Sequence, residues 1–410
     1  MKNGAAAIGR QGPRLAVIFD NFGPYHVARI DALGAVTPTL GVEVAARSQV
    51  YQWDKVERPT RFERRTLFEV ADSRQVDKRD LASALVRALE DFRPDVVLVP
   101  GWATTAAISA TRWCLARRVP TVLMSESTFV DAPRSGWKEH LKSRIVRLHD
   151  AGLVGGAPQK AYLAQLGIAD DAIRLGYNAI DNDYFAVGSV AARANERALR
   201  ERYLLPERYF LASARFIAIK NLDRLLVAFR RFRESRPTSS ARLVLLGDGA
   251  EAGALRALRS ELELDAHVLM PGFKQYGDLP VYYGLALGFV HVSRIEPWGL
   301  VVNEAMASGL PVIVSSVCGC AADLVREGEN GYIVRYDDVD AIAQRFAALD
   351  DLPDSARVRM GEASANVVGE YGPQRFASGA LAAANAAIAG GQRSRRSLDR
   401  MVAASYAWAI

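Results

Sequence analysis

The sequence predicts an α/β protein made of two Rossmann-like domains, each a doubly wound parallel sheet, that face a central cleft. Three observations support this prediction. Short apolar, β-branched runs alternate with helical patterns, the alternation restarts near residue 208, and 410 residues are about twice what one hydrophobic core needs. Nearly continuous apolar strands separated by helices are typical of parallel sheets that are covered on both faces.

The first half of the chain contains six predicted strands, each bounded by glycine, proline or charged residues. They are RLAVIFD (14–20), VEVAARS (42–48), DVVLVPG (95–101), PTVLMSE (120–126), AGLVGG (151–156) and IRLGYNA (173–179). Helical patterns separate several of them, as in LASALVRALEDF (81–92) and PQKAYLAQLG (158–167). This order favours crossover helices between parallel strands.

The same alternation of strand and helix patterns returns in the second half, with six more predicted strands. They are RYFLASAR (208–215), ARLVLLGDG (241–249), HVLMPG (267–272), LGFVHVS (287–293), LPVIVSS (310–316) and NGYIVRY (330–336). We take NAIDNDYFAVG (178–188) as the linker. We therefore predict an N-terminal domain over 1–183, a C-terminal domain over 184–372, and a region over 373–410. That last region combines a helix packing back toward the N-terminal domain with a basic tail.

Composition is that of a globular protein with a modest positive charge. The net charge of +6 permits an acidic substrate or an anionic membrane surface. We expect no nucleic acid, because no zinc-finger spacing or RNA-binding signature is present. The sequence contains no run of about 18 or more apolar residues, so we predict no membrane-spanning helix. Only three cysteines occur, and Cys318-Gly319-Cys320 lacks a second ligand pair, so we expect a cytoplasmic protein without a zinc site.

The stretch EPWGLVVNEAMASGLPVIVSS (296–316) places one acid before an apolar helix and another inside it. Gly299, Leu300 and Val301 should form the first turn, whose N–H groups have no partner within the helix. Such a turn favours a diphosphate. The carboxylates of Glu296 and Glu304 can accept hydrogen bonds from vicinal hydroxyl groups. A nucleotide sugar, which carries hydroxyls on both sides of a diphosphate, would suit this arrangement.

Two cations complement these acids in SARFIAIKNLDRLL (213–226). Arg215 should end a strand and Lys220 should open the next helix, both at the carboxyl edge of the sheet. There they could neutralise a diphosphate and stabilise it as a leaving group. No Asp-x-Asp motif lies at a convincing strand end, so we expect no metal ion and no other cofactor.

Five stretches occur in a specific order and spacing: SARFIAIKN, LLGDG, MPGF, EPWGLVVNEAMASGLPVIVS and NGYIV. With them the chain resembles the retaining, nucleotide-sugar-dependent glycosyltransferases of family 4 (glycosyl transferases group 1), which have the GT-B fold. The resemblance covers most of the chain and is strongest from about 208 to 345. It implies front-face transfer with retention, in which the departing phosphate takes the acceptor proton and no side-chain nucleophile is needed.

The resemblance also implies roles for individual residues. Glu296 would contact the donor sugar and Glu304 the nucleotide ribose. Arg215 and Lys220 would hold the diphosphate together with the backbone amides of Gly299, Leu300 and Val301. Phe273 and Lys274 would lie beside the nucleobase. Catalysis would therefore depend on Glu296, Arg215 and Lys220 in the C-terminal domain, which binds the donor.

The N-terminal domain would bind the acceptor, but its residues are less distinctive. Gly23 could let the backbone approach a ligand, although the family commonly has a glycine pair there. His26 is either an acceptor contact or base, or a structural histidine in the first helical turn. Trp102 or Glu126 could line the acceptor side, whereas His291 fits a core position better than a catalytic one.

A basic segment at 134–150 allows two interpretations. Its apolar residues share one helix face and its cations surround them: Trp137, Leu141, Ile145 and Leu148, with Lys138, Lys142, Arg144 and Arg147. The helix over 136–149 either presents a solvated basic face or docks on anionic lipid at the cytoplasmic face of a membrane. Arg393, Arg395, Arg396 and Arg400 in the tail share this ambiguity.

The sequence therefore predicts an enzyme that moves a hexosyl group from a UDP- or GDP-sugar to a glycan or lipid-linked acceptor. A non-catalytic relative that binds sugar nucleotides is the alternative. A nicotinamide- or flavin-dependent oxidoreductase would need a Gly-x-Gly-x-x-Gly turn after the first strand, which FDNFGPYH (19–26) lacks. A glycan phosphorylase would need a pyridoxal-binding lysine and a much longer chain.

Overall fold

The computed structural model describes residues 12–47, 53–70 and 72–390. Residues 1–11 and the predicted basic tail, with Arg393, Arg395, Arg396 and Arg400, lie outside the described residues. Within the described ranges, no helix combines the length and the apolar character needed to cross a bilayer.

Seven parallel strands form the first sheet. They are β1 (Leu15–Phe19), β2 (Thr39–Ala45), β3 (Glu63–Phe68), β4 (Val96–Pro100), β5 (Thr121–Ser125), β6 (Ala151–Val154) and β7 (Ile173–Leu175). Their order is β3-β2-β1-β4-β5-β6-β7. The chain therefore adds β2 and β3 on one side of β1 and then β4 to β7 on the other side.

Six parallel strands form the second sheet. They are β8 (Tyr209–Ser213), β9 (Arg242–Leu246), β10 (Val268–Gly272), β11 (Gly288–His291), β12 (Val312–Ser315) and β13 (Gly331–Val334). Their order, β10-β9-β8-β11-β12-β13, repeats the plan of the first sheet around β8. In each sheet the strand order reverses beside the first strand, and such switch points open ligand-binding crevices at the carboxyl ends of strands.

Fifteen α-helices connect or cover the strands of the described chain. The first seven are α1 (Pro24–Gly34), α2 (Lys78–Phe92), α3 (Thr105–Arg117), α4 (Gly136–Val146), α5 (Ala157–Leu166), α6 (Asn182–Ala194) and α7 (Glu196–Tyr203). The others are α8 (Leu222–Ser235), α9 (Ala252–Glu261), α10 (Leu279–Gly284), α11 (Leu300–Ala307), α12 (Ala321–Leu324), α13 (Val339–Asp350), α14 (Asp354–Gly369) and α15 (Pro373–Ala389).

Both faces of each sheet are buried, which explains the nearly continuous apolar strands. Along β1, Leu15 and Val17 pack into one core while Ala16 and Ile18 pack into another on the opposite face. Tyr209 and Phe210 divide in the same way between the two cores of the second sheet. The predicted pair of doubly wound α/β domains is confirmed.

Strand β3 was absent from the predicted strands because its sequence, ERRTLF, does not look apolar. It lies at the outer edge of the first sheet and pairs only with β2 within the described residues. Arg64 of β3 forms an ion pair of 2.9 Å with the buried Glu43 of β2. Charged edge strands of this kind protect a sheet against further pairing.

Helix α6 begins inside the stretch predicted as the linker. The Asp181 side chain accepts a hydrogen bond of 3.1 Å from the Tyr184 backbone N–H, which caps the helix start. Phe185, in the first turns of α6, is fully buried in a core of the second sheet. The chain between β7 and α6 is consequently short.

Helix α15 returns from the second domain to the first sheet. Its Phe376, Ala380 and Ala384 are fully buried in the same core as Leu15 and Leu153. Contacts of α15 with α1, β5, β6 and β7 place the helix across one face of that sheet. The many alanines allow this close approach because they carry little side-chain volume.

Candidate active site

A cavity of about 910 Å³ lies in the cleft between the two sheets. Its size falls within the roughly 300–1,000 Å³ of typical ligand sites. Of the thirteen residues predicted for the site, eleven line this cavity, namely Gly23, His26, Glu126, Arg215, Lys220, Phe273, Lys274, Glu296, Gly299, Leu300 and Val301. Trp102 and Glu304 are not among its described lining residues.

Glu296 lies at the centre of an electrostatic cluster. Lys220, in the short 3-10 turn after β8, forms an ion pair with its Oε2 atom. The Nε2 atom of His291, at the end of β11, lies 2.7 Å from the same oxygen. Burial on its own would raise the pKa of Glu296, but the hydrogen bond and charge of His291 and the ammonium of Lys220 lower it to about 2. Glu296 is therefore a carboxylate rather than an acid at neutral pH.

Arg215 is positioned by the close approach of two loops. The Ala214 backbone N–H donates to the Leu246 carbonyl at 3.0 Å, which extends the pairing of β8 with β9. Beyond that bond the loops are so close that a Cβ atom on Gly247 would lie 1.8 Å from the Ala214 carbonyl oxygen. Gly247 also has a φ of +132°, so a glycine is required there on two grounds. Arg215 follows this contact and borders the cavity.

The start of α11 is fixed by residues on both of its sides. Gly299 has a φ of +100°, and a Cβ atom there would lie 3.3 Å from Glu296 Cγ. The buried Trp298 donates from its indole Nε1–H to the Asn303 side-chain oxygen at 2.9 Å. These contacts hold the first backbone N–H groups of α11 beside Glu296, where the helix dipole adds partial positive charge.

Glu304 lies deeper, covered by two tyrosines. It is 1% exposed, and its two carboxylate oxygens accept hydrogen bonds from the hydroxyls of Tyr25 and Tyr283. The Tyr283 contact measures 2.6 Å. Burial raises the pKa of Glu304 to about 7, although both hydrogen bonds oppose the rise. Tyr25 comes from α1 of the first domain, so this contact joins the two domains.

Aromatic side chains from both domains meet beside Phe273. Trp53 of the first domain has its ring centroid 5.2 Å from that of Phe273 and 6.0 Å from that of Tyr276. Phe273 remains 38% exposed, and Lys274 follows it along the cavity. A planar base could stack in such surroundings.

His26 is a neutral side chain in this structure. Its Nδ1 atom accepts a hydrogen bond of 3.2 Å from the Gly23 N–H at the start of α1. Burial, together with the charge of Arg29, lowers the pKa of His26 to about 3. The remaining ring proton is therefore on Nε2, so His26 can donate to a ligand but is poorly suited to act as a base. The helix-start position matches the structural interpretation of this histidine.

Glu126 and Trp102, the two alternatives for the acceptor side, differ in position. Glu126 follows β5, borders the cavity and accepts a hydrogen bond from the Asn178 side-chain amide. Trp102 instead packs against the core of the first sheet. Trp102 is partly buried there and is not among the described residues that line the cavity.

Several residues border the cavity that sequence reasoning left out. Tyr25 and Arg29 lie one helical turn apart on α1, next to His26, and this spacing was a usable signal. His291 is buried, as expected, but it also contacts Glu296. Trp53 lies outside regular elements, so periodicity gave no signal for it. Tyr177 belongs to the predicted strand IRLGYNA (173–179) but lies beyond the end of β7, and an apolar strand pattern does not mark a cavity residue.

The cysteines contribute no candidate metal centre. Cys114, Cys318 and Cys320 are buried thiols without disulfide bonds. Across the described ranges, no group of three His, Cys, Asp or Glu side chains is arranged to hold a metal ion.

The C-terminal half of the chain matches a known sequence family. A sequence model of the glycosyl transferases group 1 family matches residues 196–367. A GDP-mannose-dependent alpha-(1-6)-phosphatidylinositol monomannoside mannosyltransferase of Mycobacterium tuberculosis is 33% identical over 178 residues, which are 42% of this chain and 44% of that protein. D-inositol 3-phosphate glycosyltransferase of Streptomyces scabiei is 30% identical over 255 residues, 59% of this chain and 55% of that protein. The chain therefore matches only about half of the length of these relatives.

Solved structures resemble nearly the whole chain. A glycosyltransferase from Rickettsia africae superposes with a TM-score of 0.70 at 14% identity, covering 92% of this chain and 99% of that one. Sucrose-phosphate synthase from Thermosynechococcus elongatus gives a TM-score of 0.68 at 21% identity, covering 90% and 97% of the two chains. At these identities the likeness concerns the fold. The chain thus has the GT-B fold, and its residues 196–367 match the glycosyl transferases group 1 family.

Proposed function

We propose that the protein is a retaining glycosyltransferase that transfers a hexosyl group from a UDP- or GDP-sugar to a glycan or lipid-linked acceptor. The observation that carries this proposal is the cluster of Glu296, Lys220 and Arg215 at the start of α11, inside a cavity bordered by both domains. An anion, a sugar ring and an acceptor could meet there.

The diphosphate fits at the first turn of α11. Backbone N–H groups of Gly299, Leu300 and Val301 would bind it, because helix N-termini attract phosphate. Arg215 and Lys220 would add positive charge and stabilise the phosphate that leaves. In this arrangement the charge of the leaving group is balanced by side chains, so the proposal requires neither a metal ion nor another cofactor.

The donor sugar fits beside Glu296. Because that carboxylate is held ionised by Lys220 and His291, it would accept hydrogen bonds from sugar hydroxyls rather than protonate the leaving group. The acceptor would enter from the first domain, on the side of Glu126 and His26. Attack from the same face as the departing phosphate would retain the anomeric configuration, and that phosphate would receive the acceptor proton.

The nucleoside would extend from the diphosphate toward the second domain. Glu304 would bind the ribose hydroxyls, and the base would lie against Phe273 and Lys274. Names of relatives include a GDP-mannose-dependent mannosyltransferase and a glycosyltransferase for D-inositol 3-phosphate. We therefore place GDP-mannose beside UDP-sugars among the donors to be tested.

A binding and turnover experiment tests the proposal. The protein is titrated calorimetrically in EDTA with UDP-glucose, UDP-galactose, UDP-N-acetylglucosamine and GDP-mannose, and with UDP and GDP. We expect selective binding, donor turnover in EDTA, and a product whose anomeric configuration by NMR matches that of the donor. Glu296→Gln should bind the nucleotide while losing most turnover. Binding without any turnover would favour the non-catalytic alternative, and an inverted product would contradict the front-face mechanism.

An apolar surface close to the acceptor side supports peripheral contact with an anionic membrane. It begins three residues after Glu126, and its exposed side chains are Phe129, Val130, Trp137 and Leu141. Two other residues of the predicted apolar face, Ile145 and Leu148, pack inside the domain. Lys138, Arg144 and Arg147 flank the exposed residues, a combination that favours anionic lipid headgroups.

Vesicle sedimentation tests this contact. A Phe129→Ser/Trp137→Ser variant should lose binding to vesicles that contain phosphatidylglycerol, while keeping its melting temperature. Val187→Ser, at a residue that is 70% exposed on α6, is the matched control and should bind like the wild type. Equal binding by all three proteins would remove membrane contact from the proposal.

A further inference from the structure

Arg29 is a buried charge on α1 with unused hydrogen-bonding capacity. Its side chain is 2% exposed, and its Nε–H donates to the Ala179 carbonyl at 2.7 Å. The Nη2 atom has no hydrogen-bond partner among the described residues, although Arg29 borders the cavity. A buried donor left unpaired costs stability. Such a group in a cleft indicates a position where a ligand atom belongs.

Glu126 borders the same part of the cavity from the end of β5. Arg29 and Glu126 interact electrostatically, and no direct ion pair joins them in the described part of the chain. The Asn178 side chain that donates to Glu126 has its own oxygen buried without a partner there. A donor and two acceptors thus surround one small region of the first domain.

A hydroxyl group meets both requirements of this region. It can accept a hydrogen bond from the guanidinium of Arg29 and donate a hydrogen bond to the carboxylate of Glu126. A phosphate group could accept from Arg29, but it would be repelled by Glu126. The two side chains balance each other in charge, so the region favours neutral, polyhydroxylated molecules.

We propose that Arg29 and Glu126 form a subsite for the hydroxyl groups of a neutral polyol portion of the acceptor. This inference rests on the proposed glycosyltransferase function and adds the chemical class of the acceptor. Glu126 and Glu296 both border the cavity and interact across it, one from each domain. A polyol bound at Arg29 and Glu126 therefore lies next to the donor sugar.

The test measures nucleotide release from the bound donor with and without added acceptors. The probes are glucose, mannose and myo-inositol, each compared with its monophosphate. We expect at least one neutral polyol to accelerate release. Glu126→Gln and Arg29→Lys should each raise its KM at least tenfold, a larger change than either variant causes in donor hydrolysis or in the affinity for the free nucleotide.

Trp102→Phe is the matched control, because Trp102 is near the same sheet edge but packs into the core. It should leave the KM unchanged. Acceleration by phosphorylated probes alone, or an unchanged KM in both subsite variants, would overturn the subsite. Donor hydrolysis without stimulation by any polyol would overturn the acceptor class. Absence of nucleotide binding would instead overturn the proposed function, and the subsite with it.

A separate observation concerns Tyr25, whose hydroxyl from the first domain donates to Glu304 of the second. Together with the Tyr283 hydroxyl, it occupies both carboxylate oxygens. The proposed function places ribose hydroxyls on this carboxylate. Tyr25 and a ribose would need the same position, so they exclude each other.

The surroundings of Tyr25 strengthen this contact. Its ring packs edge-on against Tyr276 at a centroid distance of 5.9 Å, and Trp53 of the first domain packs against the same Tyr276. We infer that Tyr25 is an autoinhibitory residue that imitates a ribose hydroxyl and must leave Glu304 before a nucleotide can bind. Nucleotide binding is then coupled to a change in the contact between the domains.

Calorimetric titration with UDP and GDP tests this inference. Tyr25→Phe keeps the ring but removes the hydroxyl, so it should bind its nucleotide about five- to tenfold more tightly than the wild type. Tyr203→Phe removes a tyrosine hydroxyl that donates to Asp278 rather than to Glu304 and is not among the described cavity-lining residues, so this matched control should leave the affinity unchanged. Equal or weaker binding by Tyr25→Phe would overturn the autoinhibitory role. If neither the wild type nor Tyr25→Phe binds a nucleotide, the proposed function fails, and the inference about Tyr25 fails with it.

Discussion

Glu296 and Glu304 are eight positions apart, yet their neighbours shift their pKa values in opposite directions. Lys220 and His291 contact Glu296, whereas tyrosine hydroxyls contact Glu304. The sequence predicted that both acids and both cations would be near one helix start. It did not predict which side chain would contact which, because those contacts join residues far apart in the chain.

The raised pKa of Glu304 predicts a specific pH dependence of stability. Its folded pKa of about 7 exceeds its ordinary value of 4.5, so folding favours the protonated form and stability falls as the pH rises from about 4.5 to 7. Glu304→Gln cannot ionise. Its melting temperature should be close to that of the wild type at pH 5 and higher at pH 8. Equal pH profiles for the two proteins would contradict this prediction.

The ion pair of Lys220 and Glu296 predicts non-additive stability. Lys220→Met leaves a buried carboxylate with only His291 beside it, and breaking a buried pair costs about 3–5 kcal/mol. We expect a loss near the lower end of that range in denaturant unfolding. The double variant Lys220→Met/Glu296→Gln should recover a large part of it. A double variant that loses the sum of the two single effects would show that the pair is not coupled.

Among the elements, those with a strong apolar pattern were predictable. The strands that end at Ser213 and His291, and the helix that holds Glu304, occur close to their predicted positions. Strand β3 was missed because its charged residues suit the exposed edge of a sheet, whereas the prediction relied on apolar strands. The start of helix α6 was predicted as a linker because aspartate, the residue type of its cap Asp181, is also common in turns. The burial of Phe185, which identifies the segment as a packed helix, cannot be recognised from the sequence.

The loop contact at Gly247 predicts an effect on both stability and binding. Gly247→Ala should strain the backbone, which costs about 1–3 kcal/mol, and push the Ala214 carbonyl away from its position before Arg215. Nucleotide affinity should fall as Arg215 moves. Gly253→Ala, on the exposed side of α9 with open space around it, should instead gain about 0.5–1 kcal/mol. Similar effects of the two substitutions would contradict this explanation.

At the scale of the whole molecule, the repeated alternation of strands and helices predicted the two domains. The contacts across the cleft could not be predicted, because single side chains such as Tyr25 and Trp53 produce no periodic pattern. The acceptor side shows the same limit. Glu126 and Trp102 both follow strands of the first sheet, and only the packed structure shows that Glu126 borders the cavity while Trp102 packs against the core.

The packing of α15 predicts a local change in stability within the first domain. Phe376→Ala removes a fully buried ring, which typically costs about 3–5 kcal/mol. Hydrogen exchange should therefore quicken in β6 and β7 and stay unchanged in β11 and β12. Ile388→Ala, at a residue that is 46% exposed on the same helix, should change neither. Uniform loss of protection in both sheets would show that the two domains unfold as one unit.

The position of α15 also bears on how the protein forms on the ribosome. The strands of the first sheet are complete at Leu175, but the helix that covers one face of that sheet ends at Ala389, more than 200 residues later. At a synthesis rate of roughly 5–20 residues per second, that face of the first sheet stays without α15 for about 10–40 s. The second sheet and its helices form a continuous stretch of chain and can fold during this interval. The N-terminal domain, although synthesised first, is therefore the last to be completed.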